Sequence, residues 1–306
     1  IAAATGRGDL TAAGFLTANA GAGAIANSRG MFAYHPSTSV DYELTVRTAD
    51  GTGSGWAALA HRDWSALDTA TMHERAVERA LGSRQPTALE PGDYPVVFTA
   101  SAVADIVGLL SRSLSARSAD EGRSAFSAPG EGTKVGEKLL DAKFQLQSDP
   151  VGLGASPWQG DGMPLERQVW FRDGILEQLS YDRYWADKQG VPPTGGAGSL
   201  RMGGGDATLE ELVRGLDRGL FVTRLWYIRS IDPRTILYTG LTRDGVFWVE
   251  DGEIVRPVNN FRWNDSPLTA FASIEALGRP ERISASTEVP AARLSSFHFS
   301  TVSEAV

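Results

Sequence analysis

Hydrophobic and polar residues alternate along the first 60 residues in a pattern typical of a β-sheet. Residues 40–48 (VDYELTVRT) alternate apolar and polar side chains, which predicts a half-buried strand. The triplet Ala49-Asp50-Gly51 predicts a turn, and residues 53–60 predict the partner strand. Three short apolar runs, separated by glycine and asparagine, predict earlier strands at residues 15–20, 23–28 and 31–34.

A helical pattern follows this predicted sheet. Apolar residues between positions 67 and 81 recur mostly at helical spacing, and Gly82 predicts the end of the helix. The next segment, residues 83–92, contains two prolines and is typical of a linker. We therefore expect a domain boundary within this linker.

The rest of the chain mixes strands with a few helices. Residues 94–99 predict a buried strand, Ser101 is expected to cap a helix over residues 102–114, and the Ser- and Gly-rich residues 115–132 predict a long loop. An Asp173-Gly174 turn between two apolar runs predicts a hairpin. Further strands are predicted at residues 219–230, 235–241, 246–250, 253–257 and 294–301, and helices at 209–216 and 268–277. The pattern predicts an α+β fold with a largely antiparallel sheet and flanking helices.

Composition narrows the classes of function. The 306-residue chain has a net charge of −8 and arginines scattered among acids, so we expect no nucleic-acid partner. No apolar run approaches the ~20 residues that span a bilayer, so we expect no membrane partner and a cytoplasmic location. Zero cysteines exclude disulfides and thiolate chemistry. The chain does not begin with methionine, and we expect it to be part of a longer protein.

One helical segment contains part of a zinc-binding motif. His73-Glu74 begins like the HExxH motif of zinc proteases, but Val77 stands where the second histidine would be. The other three histidines lie far away in sequence. Because a zinc site needs three or four converging ligands, a solvated helix surface is the better interpretation.

Other candidate chemistry is weaker. Ser127 and Ser156 lie outside any nucleophile elbow, and the glycine clusters at 195–196 and 203–205 lack the lysine of a P-loop, so they predict turns. Carboxylates that could form an acid–base pair are Asp120, Glu121, Asp149, Asp161 and Glu166, but the sequence does not bring any two of them together. Aromatic-rich residues 221–227 and 259–263 are mostly expected in the core, with some on a binding surface.

An ordered series of short segments runs through the second part of the chain. These segments are GRSAFS at 122–127, DP at 149–150, SPWQGDGMP at 156–164, FRDG at 171–174, DPRT at 232–235, TGLTRDG at 239–245, EDGEI at 250–254 and PVNNFR at 257–262. Together they resemble the TldD/PmbA family, and specifically its TldE (PmbA) branch. The resemblance implies a TldD/PmbA-like C-terminal domain over residues 86–306. Residues 1–85 would be the end of an N-terminal α/β domain and its junction.

The same resemblance implies half of a two-protein zinc peptidase. In such a pair the TldD-like subunit carries an HExxxH helix and a cysteine ligand, and the TldE-like subunit lacks them. At the expected motif positions this chain has Val107, Gly108 and Arg112, which cannot form that site. The resemblance therefore implies a non-catalytic subunit without a cofactor of its own, a zinc-bearing TldD-like partner and an unfolded peptide as substrate.

The resemblance also suggests which residues face the peptide chamber or the subunit interface. They are Arg123, Ser124, Thr239, Thr242, Arg243, Asn259 and Arg262. No residue of this chain is expected to be catalytic. Two other functions stay open, namely a standalone peptide-binding or scaffold protein, and a subunit of a pair recruited to amide hydrolysis in natural-product biosynthesis.

Overall fold

A computed structural model describes residues 9–304, so the first eight residues of the expected N-terminal segment lie outside the described part. Strands β1 (Leu10–Ala26), β2 (Phe32–Thr48) and β3 (Ser54–His61) form a three-stranded antiparallel sheet. The predicted strands at residues 40–48 and 53–60 are confirmed within β2 and β3. The prediction of three short strands upstream is wrong, because β1 and β2 pair without interruption from Leu10 and Thr48 to Ala26 and Phe32.

Helix α1 (Thr69–Gly82) covers one face of this sheet, as the helical pattern predicts. It begins two residues later than predicted because the Asp68 carboxylate caps it, accepting a hydrogen bond from the Thr71 backbone N–H at 3.0 Å. A small apolar core between the helix and the sheet includes Leu44, Val46 and Val77, which are 0–1% exposed.

The remaining chain forms a second sheet of 13 strands. Its strands are β4 (Gly92–Phe98), β5 (Leu146–Ser148), β6 (Gln168–Arg172), β7 (Ile175–Leu176), β8 (Leu200–Met202), β9 (Arg218–Val222), β10 (Leu225–Asp232), β11 (Leu237–Thr242), β12 (Val246–Glu250), β13 (Glu253–Pro257), β14 (Asn260–Asp265), β15 (Ile274–Ser284) and β16 (Thr287–Ser303). Most pairs are antiparallel, and the described parallel strand pairs are β4–β9 and β8–β16. The α+β prediction is confirmed.

Helices flank this sheet. They are α2 (Ala100–Arg112), α3 (Ala116–Asp120), α4 (Arg183–Gln189), α5 (Leu209–Arg214) and α6 (Pro267–Ala272). The prediction that Ser101 caps α2 is wrong, since the Thr99 hydroxyl accepts the hydrogen bond from the Ala102 N–H. The predicted loop at 115–132 is also partly wrong, because Ser115 caps α3, whose Ala116 and Ala119 are buried.

Two predicted elements near the C-terminus are each divided into two in the structure. The strand predicted at 219–230 is interrupted at residues 223–224, where the Thr223 hydroxyl donates to the carbonyl oxygens of Asp244 and Gly245 at 3.0 and 3.1 Å. The helix predicted at 268–277 ends at Ala272, because Ile274 already begins β15. The Asp173-Gly174 hairpin is confirmed, with both residues at positive φ (51° and 75°).

The two sheets contact each other through the junction that follows α1. The Ser83 hydroxyl donates to the Ser54 carbonyl oxygen at 2.9 Å and accepts from the Ser54 N–H at 3.0 Å. Further along, the Thr87 N–H donates to the Pro257 carbonyl oxygen at 3.1 Å. The segment predicted as a linker is thus held against both sheets, and it positions β3 beside the strands that carry the candidate site.

Candidate functional site

The outward face of α2 forms the base of the candidate site. Val107 is fully buried in the core, whereas Asp105 and Arg112 are exposed and Gly108 is half-buried. Asp105, Gly108 and Arg112 are spaced three and four residues apart, so they lie along one face of the helix. The guanidinium nitrogens of Arg112 lie 3.8 and 3.9 Å from the place that a β-carbon on Gly108 would occupy. Arg112 therefore lies over Gly108.

Asp105 is the residue of this face that the sequence patterns did not single out. Its side chain is accessible to solvent but has protein on most sides, and desolvation raises the pKa of its carboxyl to about 7. The positive charges of Arg224 and Arg112 act in the opposite direction and lower the pKa. Helical spacing from Gly108 and Arg112 is the signal that could have pointed to it.

Arg224 connects this face to the first sheet. Its Nη1 atom lies 2.7 Å from Oδ2 of Asp244, and its guanidinium carbon lies 4.2 Å from the ring centre of Trp56 on β3. The Asp244 side chain is fully buried, and its Oδ1 accepts a hydrogen bond from the Ser54 hydroxyl at 2.6 Å. These contacts are typical of a buried ion pair whose remaining acceptor is satisfied by a hydroxyl.

Arg243 and the exposed aromatic residues of β10 extend the site. The Arg243 guanidinium lies 4.1 Å from the ring centre of Trp226, and Arg229 lies 4.3 Å from that of Tyr227. Tyr227 has a positive φ of 53° at a shift in register between β10 and β11, which is where a bulge redirects side chains. Trp226 and Tyr227 are 38% and 52% exposed, and arginine-backed aromatic rings of this kind are common anchors at binding surfaces.

Two of the sequence-predicted residues join this surface and one packs behind it. Arg262 on β14 lies opposite Leu241, and its Nη1 donates to the Thr239 hydroxyl at 3.3 Å. Thr242 is fully buried, and its hydroxyl donates to Oδ1 of Asn260 at 3.0 Å. Thr239, Arg243 and Arg262 are half-buried, whereas Thr242 supports the strands from the core side.

Three sequence-predicted residues lie elsewhere. The Asn259 N–H donates to the Thr87 carbonyl oxygen at 3.2 Å, beside the junction between the sheets. Arg123 is paired with Glu121 just after α3, and its Nε donates to Oε2 of Glu121 at 2.9 Å. The Ser124 hydroxyl accepts from the Phe126 N–H at 3.2 Å within the same turn. The structure does not bring these three residues to the surface formed by Trp226 and Arg243.

Three of the acidic residues considered from the sequence have separate partners. Asp149 pairs with Arg201 at 3.0 Å, Asp161 pairs with Arg183 at 3.0 Å, and Asp120 accepts from the Trp185 indole N–H at 2.6 Å. Within residues 9–304, histidine and acidic side chains form no group of three or more that could hold a metal ion. In the same range, no helix is both long and apolar enough to cross a bilayer.

A separate cleft of about 730 Å³ lies between α1, α5 and β13. Phe221, Phe247 and Val213 contribute apolar side chains to it, and Arg79 and Glu281 contribute charge. Burial lowers the pKa of Arg79 to about 10, and its Nη1 donates to the Trp56 carbonyl oxygen at 2.7 Å. Arg79 thereby links this cleft to Trp56, whose ring lies against the Arg224 guanidinium.

Comparison with known families covers nearly the whole chain. The model of the PmbA/TldA metallopeptidase central domain matches residues 4–84, and that of the C-terminal domain matches residues 91–301. Metalloprotease PmbA of Escherichia coli O157:H7 is 27% identical over 227 residues, which are 72% of this chain and 45% of that protein. A Saccharolobus solfataricus zinc metalloprotease TldD homolog is 22% identical over 69% of this chain and 48% of its own length. The chain spans about half the length of the curated relatives it matches.

The fold also resembles a solved structure of the same kind. TldE from Thermococcus kodakarensis superposes with a TM-score of 0.80 at 19% identity, covering 94% of this chain and 68% of that one. The two family matches together include strands of both sheets and the residues of the candidate site. The chain therefore belongs to the TldD/PmbA family, whose domains are described as those of the PmbA/TldA metallopeptidases.

Proposed function

We propose that this chain is the non-catalytic, TldE-like subunit of a two-subunit zinc metallopeptidase that processes unfolded peptides in the cytoplasm. The metalloprotease names of its PmbA and TldD relatives support the reaction class. The TldE-like fold supports the choice of subunit. We also propose a domain boundary between residues 85 and 86, in the segment that separates the two family matches.

The observation that carries the proposal is the composition of the open face of α2. This face presents Asp105, Gly108 and Arg112, and the Arg112 guanidinium lies over Gly108. A guanidinium is permanently charged and donates hydrogen bonds without accepting any, so it would repel a metal cation. The face instead suits the carbonyl oxygens and carboxylates of a peptide.

The proposed contact with the peptide is the surface formed by Trp226, Tyr227, Thr239, Arg243 and Arg262. Among the described strands β10 pairs with β11 alone, which leaves its other edge open for an added strand. Extended peptides commonly bind by joining such an edge, while side chains next to the strand select the sequence. The exposed rings of Trp226 and Tyr227 would contact apolar side chains, and Arg243 and Arg262 would contact acidic ones.

In this proposal zinc and the hydrolytic step belong to the TldD-like partner. The chain would complete the peptide chamber and hold the substrate so that the partner's metal reaches one bond. The test is to purify the chain alone, the TldD-like protein alone and the mixture, and to assay hydrolysis of an unstructured labelled peptide in each. We expect co-elution of the two proteins in gel filtration and hydrolysis by the mixture that exceeds the sum of the two proteins assayed separately.

The same experiment separates this proposal from the alternatives. A chain that binds the peptide but never co-elutes with the TldD-like protein would support a standalone binding protein and contradict the proposal. A mixture that hydrolyses a small-molecule amide but no peptide would contradict the proposed substrate.

A further inference from the structure

The outer half of the first sheet is a long two-stranded ribbon. In the described pairing β3 covers β2 from Val40 to Arg47, so residues 19–26 and 32–39 continue beyond it as a pair of strands. A two-stranded ribbon is at best marginally stable in water without a third element against it. The ribbon therefore needs packing against other elements to be stable.

The C-terminal sheet's loops cover only one face of the ribbon. The His35 ring meets the Trp158 indole edge-on, with 6.1 Å between ring centres. The side chains of Ile25 and Met31 lie against Gly162. Ile25 and His35 occupy odd-numbered positions of the ribbon, and alternate positions along a strand point to opposite faces.

The even-numbered face is apolar and exposed. On β1 it consists of Ala20, Ala22, Ala24 and Ala26. On β2 it consists of Thr38, Pro36, Tyr34 and Phe32, which pair with those alanines in that order. Phe32 and Tyr34 are 71% and 59% exposed. Nearer the base of the sheet, Leu10, Leu44 and Val46 belong to the same face and are buried in the core that α1 covers. The apolar face thus continues past the element that covers it.

The ribbon also lacks charged residues. None occurs between Asp9 and Arg29, and no Asp, Glu, Lys or Arg occurs between Arg29 and Asp41. Proteins usually protect long exposed strands with charged residues such as lysine, or with proline, because an unprotected strand invites pairing with another chain. Of these, the ribbon has only Pro36. Depletion of charge is also typical of the buried centre of protein interfaces.

We propose that the even-numbered face of this ribbon is the docking surface for the homologous ribbon of the TldD-like subunit. This inference rests on the proposed function, because that subunit would share the fold. The face has a ridge, formed by Phe32, Tyr34 and Pro36, beside a shelf formed by Ala22, Ala24 and Ala26. A two-fold arrangement of two such ribbons places the ridge of each on the shelf of the other.

The shape and the charge of the face both argue for this occupant. The alanine shelf allows another backbone to approach closely, and two stacked sheets need about 10 Å between them. A surface without charged residues offers nothing to an acidic or basic ligand, and it suits an apolar partner surface. The matching contact would cover the apolar face that α1 leaves open.

The test measures binding of the TldD-like protein to the wild-type chain and to two matched variants. Ala24→Glu places a charge on the shelf, and Ser37→Glu places the same charge on the opposite face of the ribbon, where Ser37 is exposed. We expect Ala24→Glu to weaken the dissociation constant at least ~10-fold, because burying an unpaired charge is costly, and Ser37→Glu to change it less than ~3-fold. If circular dichroism shows that Ala24→Glu alters the fold, Phe32→Ser, which removes the ridge, replaces it.

The outcomes separate this inference from the proposed function. Equal binding by the wild type and both variants would overturn the docking surface and leave the subunit proposal intact. No binding by the wild type would overturn both. Self-association of the chain that Ala24→Glu abolishes, with partner binding unaffected, would assign the face to a second copy of the chain and overturn the inference.

Discussion

The guanidinium of Arg224 lies 4.2 Å from the ring centre of Trp56, while its Nη1 is 2.7 Å from the Asp244 carboxylate. Trp56 belongs to the segment matched by the central-domain model, and Arg224 and Asp244 belong to the segment matched by the C-terminal model. One arginine therefore joins the two matched segments and also lies near Asp105 on the open face of α2. Arg224 is therefore part of both the candidate site and the contact between the two matched segments.

Removing this arginine should destabilise the whole chain. Arg224→Ala leaves the fully buried Asp244 carboxylate without its closest cation, and we expect a loss of about 3 kcal/mol in the free energy of unfolding. Urea denaturation followed by tryptophan fluorescence measures it. The control is Arg218→Ala, which removes an exposed pair with Glu250 and should cost about 0–0.5 kcal/mol. Equal losses in the two variants would contradict the role given to Arg224.

Asp105 should make stability depend on pH. Its pKa is raised from 3.8 to about 7 in the folded chain, so the folded state retains a proton that the unfolded state has lost between these values. Stability should therefore fall as pH rises from about 4 to 7 and then level off. Asp105→Asn should be more stable than the wild type at pH 8, and the difference should vanish at pH 4.

We expect the Asp105→Asn difference at pH 8 to be about 1 kcal/mol, because solvent access to the carboxyl screens part of the effect. Urea titrations at the two pH values provide the measurement. Asp187→Asn, at an exposed aspartate of α4, serves as the control and should behave like the wild type at both pH values. A difference for Asp105→Asn that is the same at pH 4 and pH 8 would rule out titration as its cause.

Trp226 should contribute to peptide binding more than to stability. It is 38% exposed and backed by Arg243, so Trp226→Ala removes an anchor from the surface and little from the core. We expect the dissociation constant of the pair for an unstructured labelled peptide to rise about 10-fold in fluorescence anisotropy. Trp64→Ala removes a more exposed tryptophan, from the segment between β3 and α1, and should bind the peptide normally. Unchanged binding by Trp226→Ala would exclude β10 from the peptide site.

Gly240 should be required for the packing beneath this surface. A β-carbon there would lie 2.6 Å from Cζ2 of Trp263, which is 1% exposed and cannot move freely. We expect Gly240→Ala to cost about 1–3 kcal/mol of stability through overpacking. Gly198→Ala, where an added methyl meets nothing within 4 Å, should leave the thermal midpoint nearly unchanged. A neutral Gly240→Ala would mean that β11 can shift away from Trp263.

The local patterns predicted the elements that depend on neighbouring residues. The alternation of residues 40–48 predicted part of β2, and the helical pattern at residues 209–216 predicted α5, which the Thr208 side chain caps. The alanine- and glycine-rich residues of β1 have too little contrast between faces to show that they form one long strand. Helix α3 was hidden because serine-rich segments are typical of loops.

Contacts between distant residues could not be predicted in this way. The break before β10 depends on hydrogen bonds from Thr223 to residues 21 and 22 positions later. The Ser54–Asp244 hydrogen bond joins residues 190 positions apart. Thr239, Arg243 and Arg262 were found through resemblance to a family. Asp105 was missed because the sequence shows neither the burial that raises its pKa nor the approach of Arg224 from another element.

The zinc content of the chain, purified alone and as the pair, tests the central claim most directly. Each sample is incubated with zinc, passed through gel filtration and measured by mass spectrometry alongside the peptide assay. We expect far less than one zinc per chain and no hydrolysis when the chain is alone, and about one zinc per pair with hydrolysis when the TldD-like subunit is bound. Stoichiometric zinc together with peptide hydrolysis in the chain alone would contradict the account.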